Sequence, residues 1–367
     1  MARTYLESIP VYENSCIKQV GKKTTVIPGR EIALAVCSPL THEITAVLIK
    51  ICYESPEDLH VETPGYHVRW KGGRGITRFT FDVSKVGSNE HLLLLDSKHW
   101  MRETRGPAYY FPYSDAMLTP NVISAGISTL NEIIDKAFER LHEKKVPSLT
   151  FPGKLLADIF SHDLFYNLAL IEQMDDDEFF RDCPSLDLLS PENRIFSNCS
   201  EYAAYKALVH YARNGTAAFS HVRSSAGAGG AMQFMPSTYA MVRRKYTSAE
   251  LEPSFEKGTA DIINATEAAA CLLDLNMSTM GGVKDAFIQN SRLGSFYLMA
   301  AYNGGPARAK RLFRSLGKQK KCCDSLEKVP PMNREVARET NGYLIKYIAL
   351  WEILDNLAPQ IQRKTSE

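Results

Sequence analysis

The 367-residue sequence predicts an α+β multidomain protein, an all-β sandwich or barrel-like module followed by a mainly helical domain. Three observations carry this. Short Val-, Ile-, Thr- and Phe-rich runs between Pro and Gly turns fill the first hundred residues. The hydrophobic period changes to 3.6 from about residue 126. The length itself corresponds to about two domains.

The strand-like runs are Glu31-Cys37, Glu43-Tyr53, Tyr66-Lys71, Ile76-Val83 and His91-Asp96, separated by turns such as Thr63-Pro64-Gly65 and Gly72-Gly73. Their spacing fits a small sandwich or barrel. Residues 1–100 therefore form a β-rich accessory module. Residues 101–149 read as a connector with a helix. Its Ala108-Tyr109-Tyr110-Phe111-Pro112-Tyr113 stretch is an alternative aromatic platform, and Leu130, Ile133, Ile134, Ala137, Phe138 and Leu141 recur at helical spacing. Further helices are expected at Lys154-Asp175, Glu201-Asn214, Pro236-Lys245, Asp261-Asn276, Gly294-Tyr302, Ala307-Leu316 and Arg334-Leu357. Residues 150–358 make the helical domain, and 359–367 a polar tail.

Composition narrows the function. Hydrophobic residues make up 44% and charged residues 23%, which excludes a disordered or fibrous chain. The net charge of +1 advertises no global attraction to nucleic acid. Arg243-Arg244-Lys245 and the basic stretch Arg308 to Lys321 read as solvated faces, so no nucleic-acid partner is expected. The longest apolar runs, such as Ile44 to Cys52 and Phe296 to Tyr302, fall short of the roughly 20 residues that span a bilayer. The N-terminus lacks the apolar core of a signal peptide. Eight cysteines leave the redox compartment open, and the adjacent Cys322-Cys323 pair is not expected to bind zinc. His42, His60 and His67 are too scattered for a metal site.

Three segments of the helical part carry chemistry-bearing residues in unusual settings. Leu168-Ala169-Leu170-Ile171-Glu172 is an apolar run ending on a carboxylate, and desolvation raises a carboxyl pKa toward neutrality. The stretch Ser224-Ser225-Ala226-Gly227-Ala228-Gly229-Gly230-Ala231-Met232-Gln233-Phe234-Met235-Pro236-Ser237-Thr238 combines glycines, which let backbone approach a ligand, with an amide side chain. It lacks the Gly-Lys-Ser/Thr ending of a phosphate loop. Ala300-Ala301-Tyr302-Asn303-Gly304-Gly305-Pro306 brings two hydrogen-bonding side chains to a helix end.

In this order, with Glu339-Thr340-Asn341-Gly342-Tyr343 downstream, these segments resemble the lytic transglycosylases, enzymes of goose-type lysozyme-like fold that cleave peptidoglycan. The resemblance covers about residues 150–358. It implies Glu172 as the single catalytic acid/base, with substrate contacts from Ser224, Gly230, Met232, Gln233, Tyr302, Asn303 and Tyr343. Tyr302 is expected to hydrogen-bond near Glu172. The implied reaction breaks the bond between N-acetylmuramic acid and N-acetylglucosamine and leaves a 1,6-anhydro ring, with neither metal nor organic cofactor. The implied partners are peptidoglycan glycan strands, with a protein partner of the β module as a further option. A cell-envelope, periplasmic or secreted location follows from that substrate.

Two features depart from the family pattern. Gln173 follows the Glu where the family has Ser, and 55 positions separate Glu172 from Gly227. Glu201 is the second candidate for the acid. The short family spacing would instead fall on Ala212 to Gly215, which contains no carboxylate. If the helix continues past Glu172, Asp175 and Asp176 share its face and raise its pKa, but the acidic run reads rather as a solvated helix end. In a hydrolytic muramidase they would supply the second carboxylate. A non-catalytic peptidoglycan-binding component is the remaining alternative.

Overall fold

The computed structural model describes residues 2–20, 23–52, 59–72, 80–88, 90–101, 106–114, 117–180, 196–317 and 337–364. Residues 76–79 of one expected strand, Lys318 to Lys321, Cys183 and Cys322-Cys323 lie outside them, as do residues 334–336 of the last expected helix. The chain forms two compact units, 1–117 and 118–367.

The first unit is a nearly closed antiparallel barrel. A short helix α1 (Ala2–Glu7) precedes strands β1 (Glu13–Val20), β2 (Lys23–Cys37), β3 (Ile44–Cys52), β4 (Leu59–Val61), β5 (Tyr66–Gly72), β6 (Thr80–Lys85), β7 (His91–Met101) and β8 (Gly106–Tyr110). The strand order is β4-β3-β2-β7-β6-β5, with β1 added to β2 and β8 to β7. Ile32, Leu34, Val36, Val47, Ile49, Ile51, Val83, Leu92 and Leu94 fill one core. Ala33 and Ala35, on the opposite face of β2, pack with Leu6 and Val11. Both faces of β2 are thus covered, which is why its centre reads as an unbroken apolar run.

Strand β7 carries the polar sequence Asp96-Ser97-Lys98-His99, all of it buried. A bulge opposite Ala35/Val36 places Asp96 opposite Ala35 and Lys98 opposite Ala33, so both share the face that carries α1. Arg3 of α1 pairs with Asp96 at 2.6 Å. The Lys98 ammonium donates to the carbonyls of Leu6, Glu7 and Ile9 within 3.1 Å, closing the C-terminal end of α1. Residues 106–110, expected in the connector, instead form β8 against β7 and bury Tyr110 completely. A disulfide joins Cys16 to Cys52, and Cys199 in the second unit is also disulfide-bonded.

The second unit comprises α2 (Pro120–Glu143), α3 (His162–Ile171), α4 (Asp176–Phe180), α5 (Cys199–Asn214), α6 (Pro236–Lys245), α7 (Phe255–Ala260), α8 (Ile262–Thr279), α9 (Val283–Gln289), α10 (Ser291–Gly304), α11 (Pro306–Gly317) and α12 (Arg338–Lys364). Caps explain the starts. Thr119, Asn198, Asp261 and Asn290 each accept a backbone N–H at the head of α2, α5, α8 and α10. Helix α8 is buried nearly all round. Its fully buried Asp274 accepts from Ser148, Leu149 N, Thr150 N and Tyr246, fixing the loop that leads into α3. At Gly126 of α2 a Cβ would stand 2.2 Å from the Leu208 carbonyl, so only glycine permits the close crossing with α5.

The helix expected over Lys154-Asp175 is shorter at both ends. Leu155 bridges back to Pro147, and Leu156–Asp158 make a single tight turn. Helix α3 ends at Ile171 with Glu172 in the cap position, and α4 starts anew at Asp176. Helix α12 extends to Lys364, through most of the expected tail.

Candidate active site

Helix α3 buries every residue from Leu164 to Ile171, and Glu172 emerges at its C-terminal end, half-buried. A carboxylate there meets the negative end of the helix dipole as well as apolar surroundings, and both disfavour its charge. The Tyr343 hydroxyl of α12 donates to Glu172 Oε1 at 2.7 Å. Burial pushes the Glu172 pKa from 4.5 up to about 8; the Tyr343 hydrogen bond and Lys346 hold it back, and Glu339 adds to the rise. Glu172 is therefore protonated at neutral pH. Burial and the neighbouring Glu172 also push the phenols of Tyr343 and Tyr302 well up, so both stay neutral donors.

The Gly-rich stretch lies beside this carboxyl group. Gln173 Nε2 donates to the Ala231 carbonyl at 2.7 Å, and Tyr302 of α10 donates to the next carbonyl, Met232, also at 2.7 Å. Two hydrogen bonds thus dock consecutive peptide units of the loop onto α3 and α10. The loop's shape is set internally. Ser224 Oγ accepts from Ala228 N at 2.9 Å, and Gly229 bridges to both Arg223 and Phe234. Gly230 has φ +73°, and a Cβ on it would lie 1.8 Å from the Thr259 carbonyl. Gln233 adopts φ +46°, with its Nε2 donating to the Gly230 carbonyl at 2.7 Å. Asn303 Oδ1 accepts from Thr340 at 2.7 Å where Gly304 lets α12 approach α10.

The structure brings Glu172, Met232, Tyr302 and Tyr343 into one connected group. Tyr302, expected to bond near Glu172, gives its hydroxyl to the Met232 carbonyl instead, and the neighbouring Glu172 helps to raise its pKa. Met232 is fully buried, so what it offers the site is its carbonyl, while Gly230 supplies a backbone shape only glycine takes up. Ser224 and Gln233 hold the turns of their own loop.

The acidic run opens a new helix and does not continue α3. Asp175 lies beyond the end of α3, and its Oδ1 accepts from Asp177 N and Glu178 N. The run begins a helix, where the dipole favours negative charge. Asp176 pairs with Lys346 at 2.6 Å, and Glu339 is the acidic group that raises the Glu172 pKa. Glu201 closes a capping box at the start of α5, its carboxylate accepting from Ser197 N at 2.6 Å.

The structure adds Lys346 and Gln173, whose parts are not evident from sequence. Lys346 is 4% exposed, and its ammonium donates to the Met174 carbonyl at 2.6 Å. A lone lysine inside the apolar run Tyr343-Leu344-Ile345-Lys346-Tyr347-Ile348 is the signal that could have found it.

A carboxyl group on a helix end, tyrosine donors and a glycine-built backbone loop thus lie together at this site. Residues 216–323 match the Transglycosylase SLT domain, the catalytic-domain family of the lytic transglycosylases, which act on peptidoglycan. The match begins beyond α5, so Glu172 and the barrel lie outside it. No curated protein and no solved structure matches the chain. Among the described residues, no helix is long and apolar enough to cross a membrane, and no group of His, Cys, Asp and Glu is arranged to hold a metal ion.

Proposed function

We propose that the protein cleaves the β-1,4 bond between N-acetylmuramic acid and N-acetylglucosamine in peptidoglycan, with Glu172 as the sole acid/base and 1,6-anhydro-muramic acid as product. The observation that carries this reading is the Glu172 carboxyl group, half-buried and protonated near neutrality beside the SLT-type loop. Glu172 gives its proton to the glycosidic oxygen, and the departing sugar takes the bonding electron pair. The substrate's acetamido oxygen stabilises the positive charge at the anomeric carbon. The resulting Glu172 carboxylate then removes the proton of the muramic C6 hydroxyl, whose oxygen closes the ring. One carboxyl group that alternates between acid and base fits a site whose neighbouring aspartates are engaged in capping and in the Lys346 pair. Ser224, Gln233 and Asn303 are the remaining candidates for contact with the strand, and a peptidoglycan substrate implies work in the cell envelope, the periplasm or outside the cell.

Mass spectrometry of muropeptides released from purified peptidoglycan tests this. Anhydro-ended products that disappear in Glu172→Gln are the expected result. Reducing-end products would establish a hydrolase instead, and no release by folded protein would favour a peptidoglycan-binding role.

A further inference from the structure

Helix α12 reaches the segment around Glu172 with two side chains one turn apart. Tyr343 bonds the carboxyl group itself, and Lys346 bonds two residues just beyond it, through the Met174 carbonyl at 2.6 Å and the Asp176 carboxylate at 2.6 Å. Lys346 is 4% exposed, whereas the side chain of Asp176 is 72% exposed. A buried ammonium needs such compensation, and here one of its two partners is a surface group that solvent, salt or a ligand can reach. Asp176 also opens α4, the first element of the long segment between Glu172 and the Gly-rich loop, and a second lysine, Lys206 of α5, pairs with Glu178 of the same short helix.

We infer that Lys346 is a positioning residue for Glu172, and that its pairing with Asp176 sets how much of its positive charge the Glu172 carboxyl group experiences. The inference rests on the catalytic reading of Glu172 for its functional meaning. Among the described residues, the groups acting on Glu172 are Tyr343, Lys346 and Glu339 of α12, and Lys346 is the only cation of the three. With Asp176 in place, the ammonium is shared with a second anion. Without Asp176, its field falls more fully on Glu172. The segment that separates the acid from the family loop therefore carries, on its first helix, a control on the acid's proton.

The test is the titration midpoint of the Glu172 side chain, followed by carbon NMR in the full chain with labelled glutamate carboxyl carbons and assigned with Glu172→Gln. Lys346→Met removes the cation and should raise the midpoint by about one pH unit. Asp176→Asn should lower it. Lys346→Arg keeps the charge and should restore the wild-type value, and Lys206→Gln, which loosens α4 without touching Lys346, should leave it unmoved. Opposite shifts from Lys346→Met and Asp176→Asn cannot come from a general loss of stability. Midpoints that stay put, or that move the same way in both, overturn the inference. Should Lys346→Met fail to fold, the exposed Asp176→Asn and the charge-keeping Lys346→Arg still decide it. The titration needs no turnover, so opposite shifts in a protein that releases no muropeptides would uphold the Lys346 inference while removing the catalytic reading. Muropeptide release with unmoved midpoints would do the reverse.

Discussion

The buried charges of the barrel and the half-buried Glu172 of the helical unit are treated in opposite ways by their surroundings. In the barrel, Asp96 is fully buried, accepts from Arg3 at 2.6 Å and also takes the Ser97 N–H, while Lys98 is held by three carbonyl oxygens. Each buried group meets enough partners to replace its lost water, and the result is fixed architecture. At Glu172 one hydroxyl and one shared lysine face a carboxyl group on an apolar helix end, and its pKa rises to about 8. Compensated burial makes structure. Incomplete compensation leaves a group whose proton can be donated and recovered, which is what acid/base chemistry requires.

Substitutions that exchange these two behaviours test the contrast. Glu172→Gln should lower muropeptide release by at least about 100-fold, the scale of a missing general acid, and leave thermal stability intact or improved. A folded variant that retains activity would move the chemistry elsewhere, with Glu201 the first place to look. Gly230→Ala should damage both properties, because the side chain collides with the Thr259 carbonyl at a backbone angle that favours glycine. A cost of about 3 kcal/mol in denaturant unfolding is expected, and a neutral effect would contradict the loop geometry. Lys98→Met should do the reverse of Glu172→Gln. Three carbonyls lose their shared donor, at a cost of about 2 kcal/mol in urea unfolding, while release per folded molecule stays unchanged.

The same contrast explains how much of the molecule is legible in its sequence. Strands β2, β3, β5 and β7 are legible because their Val-, Ile- and aromatic-rich runs lie between turn residues, and the helices of the second unit because caps and period coincide, as at Asp261 and α8. Strand β8 is hidden because its Tyr- and Pro-rich composition reads as a connector, and its pairing with β7 is a long-range property. The four chemical segments are visible as residue types. Their convergence is not. Nothing in the spacing between Glu172 and Gly227 states that Gln173 reaches Ala231 or that Lys346 reaches Met174. The end of α3 at Ile171 also escapes, because Asp175 offers a new cap that outcompetes continuation of the helix.

A further effect expected is a pH dependence of stability that Glu172 alone contributes. Its folded pKa of about 8 lies above its ordinary value of 4.5, so the folded state holds this proton more tightly than the unfolded chain does. The stabilisation is fully present below pH 4.5, falls away as pH rises through this window, and is gone above about pH 8. Glu172→Gln carries no such proton. The difference in melting temperature, variant minus wild type, should therefore grow in favour of the variant between about pH 5 and 8 and level off above, by several degrees in a chain of this size. Calorimetry of both proteins across that range and about one unit beyond it reads the effect directly. A flat difference would mean that Glu172 titrates as an ordinary surface carboxylate, and the site would then lose the feature that separates it from the compensated charges of the barrel.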